Sequence, residues 1–216
     1  MKRFFLFVAA LFVTLTMNAQ IDLSFGPKVG YQSLIITRAE YDMSQISEGS
    51  LTLGAFGRIN VGKFIVQPEL MFDQRSYYFR NIIGNRVHVE SPMLTVPIYF
   101  GYQFFENDHI KLRGNLGPVF YFCLKNDFIV NDVPADLSNE FVQAMLKPWM
   151  HEDVMVGAAL NIGVDLWRFV FDLNYSIGLT NAFCDVVGNV THSNFSIDYE
   201  HFKQNVFTAT IGYKIF

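Results

Sequence analysis

Two short segments of the chain carry the residue types that a hydrolase or a metal site needs. One is His-Glu-Asp at 151–153, and the other lies within 191–201. The second segment offers His192, Ser193, Asp198, Glu200 and His201. Such chemistry requires a nucleophile beside a base, or paired acid and base groups, in a defined geometry. No two histidines have the i, i+4 spacing of a helical zinc motif. We therefore expect solvated polar loops here, with no catalytic residue, metal or cofactor.

Other charged residues share a different property, which is that each alternates with apolar neighbours. The basic ones are Lys28, Arg58, Lys111, Arg113 and Lys214, and the acidic ones are Glu69, Asp73, Asp165 and Asp172. An unpaired buried charge is costly, so this near balance suits an interior in which the charges neutralise one another. We predict a buried polar network built from Lys28, Arg58, Glu69, Asp73, Arg113, Asp165, Asp172 and Lys214. An ion path or a proton relay is the functional alternative.

These charges lie in segments where apolar residues recur at every second position, which is the pattern of a β-strand. Eight such segments cover 22–32, 50–60, 63–78, 88–104, 109–124, 153–166, 168–180 and 205–216. The sixth is the clearest, because apolar residues alternate from Val154 to Leu166 while Asp165 stands on the other side. The pattern predicts eight strands.

The connections between these strands alternate between short and long. Strands two and three, four and five, and six and seven are joined by tight turns. The remaining connections are long, at 33–49, 79–87, 125–152 and 181–204. Outer-membrane barrels have this asymmetry, with short periplasmic turns and longer outer loops. An even strand count also returns both ends of the barrel to the periplasmic side.

The composition of the two strand faces indicates whether the outside of the barrel lies in water or in lipid. Hydrophobic residues make up 51% of the chain and aromatic ones 16%, and one face of the strands carries the Phe, Tyr, Leu and Ile side chains. The interior of an eight-stranded barrel is only just wide enough for side chains to fill, so it cannot hold them all. We place them in lipid, where a closed barrel pairs every backbone group. The fold class is therefore all-β, an eight-stranded antiparallel up-and-down transmembrane β-barrel.

Aromatic residues and prolines add detail to this barrel. Aromatic rings favour the membrane interfaces. We expect a periplasmic girdle of Phe64, Tyr102, Phe104, Trp167, Phe169 and Tyr213, and an outer girdle of Tyr31, Tyr78, Phe120 and Phe122.

Proline cannot donate to a strand ladder. We expect irregular pairing or bulges at Pro27, Pro68, Pro92, Pro97 and Pro118.

The first 19 residues have the features of a cleaved secretory signal peptide. Lys2 and Arg3 precede an apolar core at 4–14, and the small residue Ala19 suits a cleavage site. We therefore expect residues 1–19 to be removed and residues 20–216 to form the barrel. The net charge is already −4 with the two basic residues included. This acidic balance argues against nucleic acid as a partner.

The third outer loop contains a helical pattern. Apolar residues recur at helical spacing at Leu137, Phe141, Val142, Met145 and Leu146. Asp136 or Ser138 would cap such a helix, and Pro148 follows its end. We expect a short amphipathic helix at the barrel mouth, either packed on the barrel's own aromatic residues or free to bind a partner.

Cysteines and the final strand supply two further expectations. Cys123 ends the fifth strand and Cys184 begins the last loop, so a disulfide between them would join the bases of two outer loops.

The last strand must pair with the first to close the barrel and leave no free edge. Its final aromatic residues, Tyr213 and Phe216, resemble the signal that the barrel assembly machinery recognises in outer-membrane proteins.

Three segments resemble a known family. They are "FIVQPELMFDQRS" at 64–76, "SPMLTVPIYFGYQF" at 91–104 and "LGPVFYF" at 116–122. Each is similar to a strand of the PorT-like family of outer-membrane β-barrel proteins, also called the outer membrane protein beta-barrel domain. The resemblance implies an OmpX-like barrel in a Gram-negative outer membrane. Some members of the family take part in protein secretion, and the family implies no catalytic residues.

The sequence thus predicts a monomeric integral outer-membrane protein with a plugged polar lumen and a structural or loop-mediated interaction role. Its partners would be membrane lipid, the barrel assembly machinery during insertion, and an extracellular or secretion partner at the outer loops. A narrow pore or a component of a secretion machine is the first alternative. A hydrolase or acyltransferase at the outer rim is the second.

Overall fold

Ten β-strands make up the regular structure of the computed structural model, which describes residues 21–37, 49–80, 86–130, 133–134, 153–180 and 203–215. In chain order they are β1 Ile21–Thr37, β2 Ser50–Val61, β3 Phe64–Arg80, β4 Arg86–Glu106, β5 Ile110–Cys123, β6 Asp127–Val130, β7 Val133–Pro134, β8 Val154–Leu166, β9 Phe169–Gly178 and β10 Lys203–Tyr213. No helix among these residues has the length and apolar character that crossing a membrane would need.

Eight of the strands form a closed antiparallel barrel. The order around it is β3, β2, β1, β10, β9, β8, β5 and β4, and pairing of β3 with β4 closes the sheet. The first and last strands pair from Lys28 opposite Gly212 to Thr37 opposite Lys203. The predicted eight-stranded barrel is confirmed, and its closure removes the free edges that an open sheet would leave in lipid.

Side chains alternate between the two faces as the period of two requires. In β8 and β9, almost every second residue is buried in the lumen and the intervening ones are exposed or half-buried. The exposed residues are the apolar ones, such as Leu160 and Leu173, whereas buried residues include Asn161 and Asp172. An apolar exterior around a polar interior is the arrangement of a membrane barrel.

Short turns lie at one end of the barrel, and the strand ends that the long connections join lie at the other, as predicted. Gly62 and Trp167 each begin a two-residue turn and have positive φ angles of 59° and 53°. Glycine adopts such angles without steric cost, whereas tryptophan does not. At the third turn, the Asn107 side chain accepts a hydrogen bond from the Asp108 N–H at 2.7 Å.

One register shift falls in β4, between Gln103 and Phe105. The pairs on either side are Gln103 with Arg113 and Phe105 with Leu112, so Phe104 is the extra residue of a β-bulge. As a result two consecutive aromatic side chains, Phe104 and Phe105, are both exposed on the lipid side.

The prolines interrupt the ladders without shifting the register. Pairing skips residues around Pro68 between β2 and β3, around Pro97 between β3 and β4, and around Pro118 between β4 and β5. Pairing continues through Pro27 and Pro92. The expected irregularity therefore occurs at three of the five prolines, and the bulge lies elsewhere, at Phe104.

The strand ladders continue beyond the barrel at the end with the long connections. β3 and β4 stay paired from Arg75 opposite Ser91 to Arg80 opposite Arg86. β6 pairs with β4 at Val87–Glu90, and β7 pairs with β6. The sequence did not predict β6 and β7, which lie within the third outer loop. The predicted helix around 136–148 and the predicted signal peptide at 1–19 fall outside the described residues.

Candidate functional site

The largest group of buried charges lies in the barrel lumen near the short-turn end. It centres on Asp165 of β8, which pairs with three cations. Arg58 of β2 donates from Nη1 to Oδ2 at 2.5 Å, and Arg113 of β5 donates to Oδ1. Lys214 donates from Nζ to Oδ2 at 3.0 Å. Arg58 and Arg113 come from different strands and Lys214 directly follows β10, so this one carboxylate ties together several walls of the barrel.

A second carboxylate, Asp172 of β9, extends the group towards the outer end of the barrel. Lys28 of β1 lies 2.5 Å from its Oδ2, and Arg113 donates to its Oδ1. Lys28 also pairs with Glu69 of β3, whose Oε1 accepts a hydrogen bond from Gln67 at 2.6 Å. Buried ion pairs stabilise a fold only when the remaining donors and acceptors are also satisfied. The side-chain amide of Gln67 satisfies two of these groups, because it donates to Glu69 and its Oε1 accepts from Arg58 Nε at 2.6 Å. Nη2 of Arg58 and Nε of Arg113, by contrast, are buried without a hydrogen-bond partner among the described residues.

An aromatic ring separates two of these cations. Phe56 is buried in the lumen between Lys28 and Arg58. Its ring centroid lies 5.5 Å from Lys28 Nζ and 5.4 Å from Arg58 Cζ. The negative face of an aromatic ring attracts cations at such distances. The ring thus offsets part of the repulsion between two neighbouring positive charges.

Neutral side chains continue the network along the lumen. Asn161 donates from Nδ2 to Asp172 at 3.1 Å and to Asn174 at 2.5 Å, and it accepts a hydrogen bond from Asn115. Tyr99 of β4 donates from its hydroxyl to Asn174 at 3.0 Å. These contacts cross between β4 and β9, so they fill the lumen as well as line it.

A separate charged pair lies nearer the outer end. Asp73 Oδ2 accepts hydrogen bonds from Gln32 at 2.5 Å and from Arg75 Nε at 3.0 Å, and its Oδ1 accepts from Thr95 at 3.0 Å. The Arg75 guanidinium lies 4.7 Å from the ring centroid of Tyr121. Arg75 was missing from the residues expected from the sequence. Its position two residues after Asp73, on the same face of β3, was the signal that could have identified it.

Little empty space remains between the two charged groups. A cavity of about 40 Å³ lies between them, lined by residues that include Glu69, Asp73, Tyr99 and Asn174. This is room for about three or four water molecules at roughly 10–15 Å³ each. Below the network, a polar vestibule of about 350 Å³ opens at the short-turn end, where Lys111 pairs with Glu106 at 2.7 Å. The lumen is therefore filled in its middle and open at one mouth.

All eight residues proposed for the polar network occupy inward-facing positions of the barrel. Lys28, Arg58, Glu69, Arg113, Asp165, Asp172 and Lys214 form one connected group. Asp73 belongs to the outer pair with Arg75. Within this group Arg58 pairs with Asp165, because the opposing walls of the barrel bring β2 and β8 together.

The expected periplasmic girdle has paired rings. Phe64 packs edge-on against Tyr102 at 5.6 Å, and Phe169 against Tyr213 at 5.5 Å. Trp167 lies 5.7 Å from the ring of His109 in the adjacent turn. At the outer end, Tyr31 is exposed on the lipid side, and the side chain of Tyr78 falls outside the described residues.

The predicted disulfide stays a prediction, because Cys184 lies outside the described residues. Cys123 is a free thiol, and its Sγ donates to the carbonyl oxygen of Lys125 at 3.3 Å. Cys184 and Phe216 lie outside the described residues. So do His151, His192 and His201, on which a rim-located enzyme would depend. Within the described part of the chain, no cluster of His, Cys, Asp and Glu could hold a metal ion.

Comparison with solved structures finds small outer-membrane barrels at low sequence identity. The crystal structure of Ail, the attachment invasion locus protein of Yersinia pestis, in complex with the heparin analogue sucrose octasulfate is 14% identical, with a TM-score of 0.44, covering 89% of this chain and 99% of that one. The crystal structure of Neisserial surface protein A (NspA) is 6% identical, with a TM-score of 0.46 and coverage of 90% and 98%. No curated protein sequence matches the chain.

The amino-acid sequence itself identifies the family to which the chain belongs. Residues 18–184, which are most of the chain, match the outer membrane protein beta-barrel domain. The match starts just before β1 and continues past β9, so it covers seven of the eight barrel strands. Together with the closed barrel, its apolar exterior and its polar lumen, this match shows that the chain belongs to the outer membrane protein beta-barrel domain family and resides in the outer membrane.

Proposed function

We propose that the protein displays its outer strands and loops for binding an extracellular partner, while its lumen is a structural plug. The observation that carries this proposal is the continuation of β3 beyond the barrel. The last recorded pair of β2 and β3 is Thr52 with Asp73, but β3 runs on to Arg80. Among the described residues, no strand pairs with the other edge of 74–80.

A strand edge of this kind presents unpaired backbone N–H and C=O groups. Such an edge is a template for an added strand from another polypeptide. On its other side β3 is held by β4, which is in turn held by β6. The edge is therefore supported by a small sheet, and the chemistry that it fits is an extended peptide segment.

The filled lumen supports a structural role for the barrel interior. Arg58 and Asp165 meet across the full width of the barrel at 2.5 Å. An ion that passed through would have to separate this pair and the Lys28–Asp172 pair beside it. Planar-bilayer recording of the purified barrel should therefore show no steady current, and a stable single-channel current would favour the pore alternative.

A truncation of the projecting hairpin tests the binding role. Because Arg75 and Ser91 are opposite each other in the ladder, an Asn-Gly turn can join them directly in place of 76–90. The matched control replaces the Trp167–Arg168 turn at the other end with Asn-Gly. Proteins captured from the cell exterior by the intact barrel in nanodiscs should be lost with the truncated hairpin and kept with the control. Equal capture by all three would contradict the proposal.

The remaining expectations form part of the same proposal. Residues 1–19 would be removed on export, residues 20–216 would be inserted as a monomer by the barrel assembly machinery, and Tyr213 with Phe216 would contribute to recognition. The resemblance of 64–76 to the PorT-like family supports the alternative of a secretion component. Loss of exported proteins from the medium of cells that lack this chain would favour that alternative.

A further inference from the structure

We propose that the lipid-facing wall over β2, β1, β10 and β9 holds one anionic phospholipid of the periplasmic leaflet. A groove of about 510 Å³ lies on this wall. Its lining includes Pro27, Val29, Leu53, Phe169, Ile211 and Tyr213.

The depth of the groove follows from the residues that form it. Pro27 lies opposite Ala55 in the β1–β2 ladder, so two short side chains meet on the outer face. Two residues further along β1, Val29 lies between Leu53 and Ile211, which form a taller wall. From Tyr213 to Ile211 along β10 is two residues, or about 7 Å. The groove therefore accommodates the first part of an acyl chain, beginning at the aromatic girdle.

A cation stands where the headgroup of such a lipid would lie. Arg168 is exposed in the turn between β8 and β9, next to Phe169. Its Nη1 donates to the Tyr213 hydroxyl at 3.4 Å, and its backbone carbonyl accepts from the Lys214 N–H at 2.7 Å. No carboxylate among the described residues pairs with the Arg168 guanidinium. Its remaining donors are available to a phosphate, which a guanidinium binds in a fork geometry.

The apolar groove and the cation together specify the ligand. The acyl chain of a neutral or an anionic phospholipid would fill the groove, but only an anionic headgroup would bind more tightly because of Arg168. An arginine near a membrane surface contributes roughly fivefold to the binding of anionic lipid. The other two-residue turn has Lys63, which lines the vestibule and not the groove, so it is a natural control.

Native mass spectrometry of the purified barrel tests the proposal. The probes are mixed micelles that contain phosphatidylglycerol or phosphatidylethanolamine at equal concentration. We expect one retained phosphatidylglycerol, reduced about fivefold in Arg168→Gln and unchanged in Lys63→Gln. Val29→Phe should narrow the groove and reduce retention of both lipids, whereas Leu116→Phe, on the lipid face of β5, should not.

Two outcomes would overturn the proposal. Equal retention of the two lipids by the wild-type barrel would show that the groove holds only unselected membrane lipid. A loss with Lys63→Gln as large as that with Arg168→Gln would show that any periplasmic cation suffices. Both results can be obtained with folded protein, because Arg168 and Lys63 are each exposed in a turn. Heat-modifiable gel migration checks that each variant is folded.

Discussion

Arg58 and Asp165 form an ion pair at 2.5 Å although they stand on opposite walls of the barrel. Their strands, β2 and β8, are separated by β1, β10 and β9 on one side and by β3, β4 and β5 on the other. Side chains from opposite walls can meet only in a narrow barrel. This pair therefore closes the lumen and ties the two halves of the sheet together.

Removing the charge of Asp165 should destabilise the barrel strongly. In Asp165→Asn, Arg58 and Lys214 lose the carboxylate with which each of them pairs. A buried pair that loses one partner costs about 3–5 kcal/mol in the free energy of unfolding. Urea unfolding in detergent, followed by gel migration, measures the change.

The control for this prediction is an exposed pair. Lys125 and Asp127 lie 2.7 Å apart and are both exposed to solvent. Lys125→Gln should change the free energy of unfolding by less than about 1 kcal/mol, because water screens such pairs. Similar effects of the two substitutions would show that the lumen network contributes no more than a surface contact.

Gly163 should tolerate no side chain. A Cβ atom at this position would overlap the guanidinium of Arg113 and the carboxylate of Asp172. Gly163→Ala should therefore displace both groups and destabilise the barrel by about 1–3 kcal/mol. At Gly57 the nearest atom to a new Cβ is Pro68 Cγ at 4.0 Å.

Gly57→Ala is the matched substitution. It should leave the free energy of unfolding unchanged or raise it slightly, because glycine within a strand is unfavourable. Thermal unfolding of both variants in the same detergent makes the comparison. A destabilised Gly57→Ala beside an unaffected Gly163→Ala would contradict the packing of the lumen described above.

A charge on the outer face should cost more at the middle of a strand than at its end. Leu160 lies near the middle of β8 and is 60% exposed, and Leu166 ends the same strand. Leu160→Arg should cost about 2–4 kcal/mol and Leu166→Arg about 0–1 kcal/mol. Folding measurements in lipid vesicles give both values. Equal costs would show that the two residues do not differ in membrane depth.

The Cys123 thiol should be available for alkylation without reductant. It is half-buried, and its Sγ donates a hydrogen bond to the Lys125 carbonyl oxygen at 3.3 Å. Intact-mass measurement after treatment with maleimide under non-reducing conditions checks this. A Cys123 that reacts only after reduction would instead support the disulfide with Cys184 that the sequence predicts.

The sequence alone determined where the eight barrel strands lie and which face their side chains occupy away from the bulge at Phe104. Successive side chains on a strand point to opposite sides, so the alternation from Val154 to Leu166 placed Asp165 inside before any strand partner was known. The same rule applies to Arg75, which follows Asp73 by two residues. The alternation of short and long connections likewise required no structure, because turn length depends on the membrane side.

Only the tertiary structure decided which charges meet. Arg58 and Asp165 are 107 residues apart, and their contact depends on the order of eight strands, on the register of each pair and on the width of the closed barrel. The bulge at Phe104 and the added strands β6 and β7 were likewise decided only by the tertiary structure. Each depends on a neighbouring strand, because pairing is a property of two segments together and neither carries it alone.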